Sequence, residues 1–233
     1  MTYLGAWGGR YCKIDKKYIF CQFDIFASAQ GVNRRTALSD NEKHQRILDA
    51  GLAQFCQYGY RRTSMNDIAE KADVSRASLY SYFKNKDEIF RSVSVNVHEI
   101  LLRDIDKVLR GDDKTDVAER VFRALFIRHS RFLSLVVESD HGSELEDEYS
   151  RLCGDVVANA NRQFETRLTA VFEQVQADAK TGHGLQGVTP ADAATILNLA
   201  AAGCKRRVKD VMQFEERIRG LASIYVKGAT HSS

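Results

Sequence analysis

The chain has 233 residues, 44% apolar and 28% charged, close to the globular average and enough for a core in one large or two ordinary domains. It holds 1 proline, where average usage of about 5% would give roughly a dozen; this excludes collagenous, low-complexity and turn-dense β-sandwich chains and reads as mostly helical. The net charge of +3 is uneven: residues 1–33 carry 4 basic and 2 acidic side chains, residues 34–94 carry 11 and 8, and residues 95–233 carry 19 and 21, as a nucleic-acid-binding head on a separate body would.

Residues 1–33 crowd Tyr3, Trp7, Tyr11, Tyr18, Phe20, Phe23 and Phe26 together without helical or strand period, an irregular extension. Ser39 with Glu42 is a capping box that opens an amphipathic helix through Ile47, Leu48, Leu52 and Phe55, closed at Gly59. Ser64 with Asp67 repeats the pattern before Ile68, Ala69 and Ala72. Ser75 caps a third short segment holding Leu79, Tyr80 and Phe83. Asn85 with Glu88 opens a fourth, with Ile89, Val93, Val97, Ile100, Leu101, Ile105 and Val108 on one side, which runs to Gly111 and is long enough to connect two domains. Val117, Val121, Phe122, Leu125 and Phe126 form one stripe, and Phe132, Leu133, Val136 and Val137 a second. Ser143 and Glu146 cap a long segment from Leu145 to Val175. The glycine-rich stretch 181–188 is a loop, after which Thr189, Pro190 and Asp192 supply cap, first-turn proline and box acid. Two final helices are expected at about 191–208 and 211–227. The expected fold class is all-α, with no internal repeat.

The five cysteines (Cys12, Cys21, Cys56, Cys153, Cys204) are scattered and contain no C-x-x-C pair, so no zinc ribbon, thioredoxin-type site or disulfide framework is expected. No run of eighteen apolar residues exists, and charges punctuate the first thirty; the expectation is a cytoplasmic chain with no membrane partner. The acidic run Glu144, Glu146, Asp147, Glu148 reads as a solvated helix start, and the basic run Lys205, Arg206, Arg207, Lys209 as a helix end, each on the favourable side of the macrodipole. The histidines, His98 and His129 among them, share no metal spacing, and no catalytic arrangement is present. Neither metal nor cofactor nor enzymatic activity is expected.

The informative region is 39–90. Two short helices separated by the turn Ala72-Asp73-Val74 are the pattern of a helix-turn-helix, whose second helix (75–83) enters the DNA major groove. Leu79 and Phe83, four apart, face inward, while Arg76, Ala77, Tyr80 and Ser81 project outward. The run Arg46-Ile47-Leu48-Asp49-Ala50, then Phe55, Gly59, Thr63-Ser64, Ile68-Ala69, Ala72, Val74-Ser75, Leu79-Tyr80, Tyr82-Phe83 and Lys86 resembles, in register and without a gap, the DNA-binding domain of the tetracycline-repressor (TetR) family. There are two departures: Asp73 stands where the family usually has glycine in the turn, and Ala77 where glycine is frequent in the recognition helix.

The resemblance covers residues 41–101. It implies a three-helix DNA-binding domain, with its helix-turn-helix at 64–83, joined by a long helix to an α-helical ligand-binding and dimerisation bundle over 102–228. The implied function is a ligand-responsive regulator, a repressor that binds a palindromic DNA operator as a homodimer and is released by a small-molecule inducer. The rival reading is an α-helical adaptor or enzyme with a vestigial DNA-binding head. In the family's pattern Thr63, Ser64, Tyr82 and Lys86 meet phosphates, and Ser75 opens the recognition helix. Arg76 is the candidate base reader, since a guanidinium binds guanine O6 and N7 together, and Ala77, Tyr80 and Ser81 meet a thymine methyl or nearby edge. Phe122, Phe126 and Phe132 are expected to line the inducer pocket. Ile196, Leu199, Ala200 and Gly203, with Phe214, Ile218, Leu221 and Tyr225, are expected at the dimer interface. Because the family's domain begins near the N-terminus, the extension is expected to precede the working protein. Translation would start near Val32, leaving Asn33-Arg34-Arg35 as a minor-groove arm; the alternative is a genuine extension that packs on the body or binds a partner.

Overall fold

The computed structural model describes residues 39–111, 115–138, 140–178 and 187–230. The extension, with the expected start at Val32 and the arm Asn33-Arg34-Arg35, lies outside them. The described residues form eight helices and no strand: α1 (Asp40–Arg62), α2 (Met65–Lys71), α3 (Arg76–Tyr82), α4 (Lys86–Arg110), α5 (Val117–Glu138), α6 (Gly142–Asp178), α7 (Pro190–Gly203) and α8 (Val211–Thr230).

Most caps read from the sequence are in place; the exception is Ser143 with Glu146, because α6 already starts at Gly142 and its first backbone bond runs from Leu145 N–H to the His141 carbonyl at 2.9 Å, which leaves Ser143 inside the first turn. Ser39 N–H donates to Glu42 Oε2 at 2.8 Å while Glu42 N–H returns to Ser39 Oγ at 3.3 Å, and Ser64 with Asp67 repeats the exchange at 2.8 and 3.3 Å. Ser75, Asn85 and Thr189 cap α3, α4 and α7, and Pro190 occupies the first turn of α7. Gly59 does not end α1 outright. It sits at φ 81 and ψ 167, a region reserved for glycine, and kinks the helix before its last turn. The two stripes of residues 117–137 share one helix, α5. Helix α7 ends at Gly203, short of the expected boundary, where the chain turns and Arg207 takes φ 57. The carbonyls freed there are met by Arg217, whose Nη1 donates to Cys204 and Arg206 at 3.2 and 2.7 Å. That side chain from α8 does the work that the run 205–209 was expected to do.

Two cores result. The first is built by Ile47, Phe55, Ile68, Leu79, Phe83 and Ile89, with Leu145 and Cys153 added from α6. The second gathers Ile105, Leu125, Phe164, Leu168, Phe172, Leu197, Phe214 and Ile218. Helix α4 feeds both, as expected of the connector. So does α6, whose 37 residues extend over about 55 Å. Head and body are therefore joined by two long helices rather than one.

The side chains expected at the pocket and at the dimer interface take these places. Phe122 is 5% exposed and stacks on Phe126 at 6.0 Å, and Phe126 stacks in turn on Phe214 at 6.2 Å; these rings pack against one another in the second core. The Phe132 side chain lies outside the described residues. Phe214 and Ile218 are 0% exposed and belong to the interior of their own bundle, so they are not free to meet a second chain. A stripe of apolar residues at helical spacing cannot distinguish the two fates, because both bury it.

Candidate nucleic-acid interface

Helix α3 is fixed from below. Leu79 is 0% exposed and Phe83 3%, both in the first core, and their burial turns the opposite side of a short helix outward. The turn before α3 is tight: Asp73 and Val74 N–H groups return to the Glu70 and Ala69 carbonyls at 3.1 and 3.0 Å. Asp73 takes φ 54, the left-handed conformation that aspartate tolerates in place of glycine, and Arg46 pairs with its carboxylate at 3.2 Å. The sequence departure at this position therefore leaves the turn intact.

Arg76, Ala77, Tyr80 and Ser81 all stand exposed on the outer side of α3. The Arg76 guanidinium forms no hydrogen bond or ion pair among the described residues; it rests 5.8 Å from the Tyr80 ring centre, a cation–π contact that steadies it without consuming a donor. The Ser75 and Ser81 hydroxyls are engaged locally, Ser75 Oγ accepting from Ser78 N–H at 3.1 Å and Ser81 Oγ donating to the Ser78 carbonyl at 2.7 Å.

The four side chains expected at phosphates divide. Ser64 is exposed at the start of α2, where its hydroxyl donates to Asp67 Oδ2 at 2.8 Å within its own cap. Thr63 is 2% exposed and donates its hydroxyl to the Gly59 carbonyl at 2.7 Å, closing the kink of α1. Tyr82 donates to Asp40 Oδ1 at 3.0 Å. Lys86 points its ammonium at the end of α1, donating to the Tyr60, Thr63 and Arg61 carbonyls at 2.7, 2.9 and 3.4 Å and lying 4.2 Å from the Tyr60 ring centre. Burial lowers the Lys86 pKa, against which the Asp87, Glu148 and Glu144 charges pull upward. Three of the four thus hold the head together. Sequence reasoning passed over Arg61, Arg62, Lys71 and Lys84, which are exposed and form no ion pair among the described residues. Their signal was available: basic residues in the last turns of α1 and α2 and just after α3.

The head is bound to α6. Arg91 grips Asp155 with two bonds of 2.8 Å and also donates to the Leu152 carbonyl, and the hydrogen bonds from Arg91 hold the Asp155 carboxyl down at about 2. Arg151 lies 3.5 Å from Asp87, which accepts the Tyr60 hydroxyl. Glu144 accepts the Arg61 N–H at 2.5 Å beside the Gly59 kink. Of the acidic run read as a solvated face, Glu144 is therefore a strut between body and head. Among the described residues no three histidine, cysteine or acidic side chains gather as a metal site, and no helix is long and apolar enough to cross a membrane.

The outer side of the last two helices carries exposed apolar groups: Ile196 and Leu199 on α7 at 49% and 65%, Met212 and Ile224 on α8 at 59% and 77%. Gly203, Gly220 and Gly228 are exposed with them, Ala200 and Leu221 are half-buried, and Tyr225 turns inward to donate to the Ala193 carbonyl at 2.9 Å.

Residues 47–93 match the family model for bacterial regulatory proteins of the tetR family. The chain is 31% identical over 85 residues to YhgD, an uncharacterized HTH-type transcriptional regulator of Bacillus subtilis (strain 168), covering 36% of this chain and 44% of that one. It is 28% identical over 103 residues to IcaR of Staphylococcus epidermidis, the negative transcriptional regulator of the biofilm operon icaADBC, covering 42% of this chain and 54% of that one. The chain thus spans about half the length of the curated relatives it matches. Among solved structures, SmeT, the repressor of the Stenotrophomonas maltophilia multidrug efflux pump SmeDEF, superposes with a TM-score of 0.58 at 18% identity, covering 82% of this chain and 94% of SmeT; that likeness concerns the fold.

Proposed function

Because this chain belongs, through residues 47–93, to the tetR family of bacterial regulatory proteins, we propose that it is a repressor which binds a palindromic DNA operator as a homodimer and releases it when a small molecule enters the body. The observation that carries the DNA-binding part is the outer side of α3, where an exposed Arg76 guanidinium without an internal partner stands beside Ala77, Tyr80 and Ser81 on a helix locked by Leu79 and Phe83. A donor fork that is held in place but unspent is what bidentate base reading needs. Ser64 at the start of α2, with Arg61, Arg62, Lys71 and Lys84, supplies the phosphate contacts in this reading, in place of Thr63, Tyr82 and Lys86.

Two copies pair through the exposed Ile196, Leu199, Met212 and Ile224, presenting two α3 helices to half-sites about one DNA turn (~34–36 Å) or somewhat more apart. The name of IcaR, a negative transcriptional regulator, supports repression. A ligand that favours one arrangement of α4 and α6 shifts the head through both helices at once, which is how occupancy of the body would change half-site spacing. The test is selection of bound sequences from random duplex DNA by the full chain, followed by footprinting. An enriched inverted repeat protected on one face supports the reading. Binding that shows no sequence enrichment and merely tracks salt overturns it.

A further inference from the structure

Between the two cores lies a layer of buried polar groups. Along α4, His98 falls between Val93 of the first core and Leu102 of the second, and along α6, Asn161 falls between Cys153 and Phe164. Arg128 of α5 reaches this layer and is only 8% exposed. Its Nη2 donates to Asn161 Oδ1 at 2.7 Å, and among the described residues its buried Nε has no partner and its charge no ion pair. His98, also 8% exposed, meets the Tyr149 hydroxyl through Nε2 at 2.6 Å and leaves a buried Nδ1 with no partner. Burial, and after it the Arg128 charge, holds the His98 pKa down at about 4, so the imidazole is neutral near pH 7.

Glu165 lies near enough for its charge to favour the charged form of Arg128, but it forms no ion pair with it among the described residues. Glu165 accepts from Asn198 Nδ2 at 2.8 Å, and Asn198 Oδ1 meets His129 Nε2 at 3.0 Å. Lys205 adds positive charge to the same surroundings. A guanidinium taken out of water with one of its donors unmet is costly unless an anion joins it, and its Nε edge is shaped for a planar carboxylate. The neutral imidazole holds one proton: in the arrangement where the Tyr149 hydroxyl donates to Nε2, that proton sits on Nδ1, and this is the tautomer that would offer a second donor in that layer.

We propose that this layer binds a small organic carboxylate, with Arg128 reading its charge and His98 supplying the second donor. The inference deepens the regulator reading and rests on it only in making that anion the effector. It is tested on the full chain with benzoate, benzamide and benzamidine, which share a shape and differ in charge, and with acetate as the bare anion, all by calorimetry without DNA. Benzoate is expected to bind in the millimolar range or tighter while benzamide and benzamidine do not. Arg128→Gln should weaken benzoate by about thirtyfold or more, and Arg128→Lys, which keeps the charge and loses the fork, by less. Should Arg128→Gln fail to fold, Arg128→Lys and His98→Gln carry the comparison, each expected to weaken benzoate while leaving helix content and unfolding cooperativity unchanged at pH 7. Equal binding of benzoate and benzamide, benzoate binding indifferent to Arg128, or binding of neither acetate nor benzoate overturns the proposal. DNA affinity of the ligand-free chain is measured separately. Operator binding without carboxylate binding removes the effector site alone, and carboxylate binding without operator binding removes the regulator reading alone.

Discussion

At the scale of single residues, the decisive question is whether a donor is already spent. Arg76 is not, so Arg76→Ala is expected to relax preference at one base pair, costing about 1–3 kcal/mol there; binding measured against singly substituted operators checks it, and equal loss on every sequence removes Arg76 as a base reader. Lys86 is spent on three carbonyls, those of Tyr60 and Arg61 in α1 and of Thr63 just after it. Lys86→Ala is therefore expected to destabilise the head by about 1–3 kcal/mol in urea unfolding while leaving the salt slope of DNA binding unchanged. A slope reduced by one charge with stability unchanged would return Lys86 to the phosphates. The buried histidines give a pH dependence. Burial lowers His98 from 6.5 to about 4 and His129 from 6.5 to about 3. The unfolded chain then binds more protons than the folded one in this range, so stability falls as pH drops from 6.5 toward 4, each unit of lowering corresponding to about 1.4 kcal/mol. His98→Gln should flatten that slope in denaturant titrations run at descending pH.

At the scale of elements, α6 sets the behaviour of the head. Its first half delivers Leu145 and Cys153 to the first core and Asp155, Arg151 and Glu144 to the head's polar groups, so the DNA-binding head does not close its core without it. Leu145 is 6% exposed, and Leu145→Ala is expected to cost about 2–5 kcal/mol. Hydrogen exchange should show the loss in α1–α4, with amides around Phe164 and Leu168 unaffected. Uniform loosening of both cores would show that the chain unfolds as one unit. The kink at Gly59 belongs to the same contact, since a Cβ there would come 2.8 Å from Glu144 Oε2. That glycine does more than end a helix: it lets α6 approach.

At the scale of the whole molecule, the apolar groups left outside are where the proposed pairing of two copies is tested. Ile224 at 77% and Leu199 at 65% exposure lie on the last two helices, opposite the buried Phe214 and Ile218. Ile224→Arg is expected to weaken self-association by about 2 kcal/mol or more without lowering helix content, read by sedimentation and circular dichroism. Phe214→Arg is expected to unfold the body. A wild-type chain that sediments as a monomer, or an Ile224→Arg chain that associates as before, removes this surface as the interface.

Most helices, the caps at Ser39, Ser64, Ser75, Asn85 and Thr189 and the left-handed turn at Asp73 were legible in the sequence, because each depends on residues within four positions of one another. The outward set on α3 followed for the same reason, from the spacing of Leu79 and Phe83. What the sequence could not show is which partner a side chain finds across the fold. Thr63, Tyr82 and Lys86 carry groups suited to phosphate, yet their donors meet Gly59, Asp40 and the end of α1. Phe214 and Met212 sit two apart on one helix, and only the packing of α5 and α7 decides that the first is interior and the second bare. The second bridge through α6 and the lone Arg128 between the cores are likewise long-range outcomes. Periodicity fixes a residue's side of its own helix; what stands opposite that side is settled only when the helices pack.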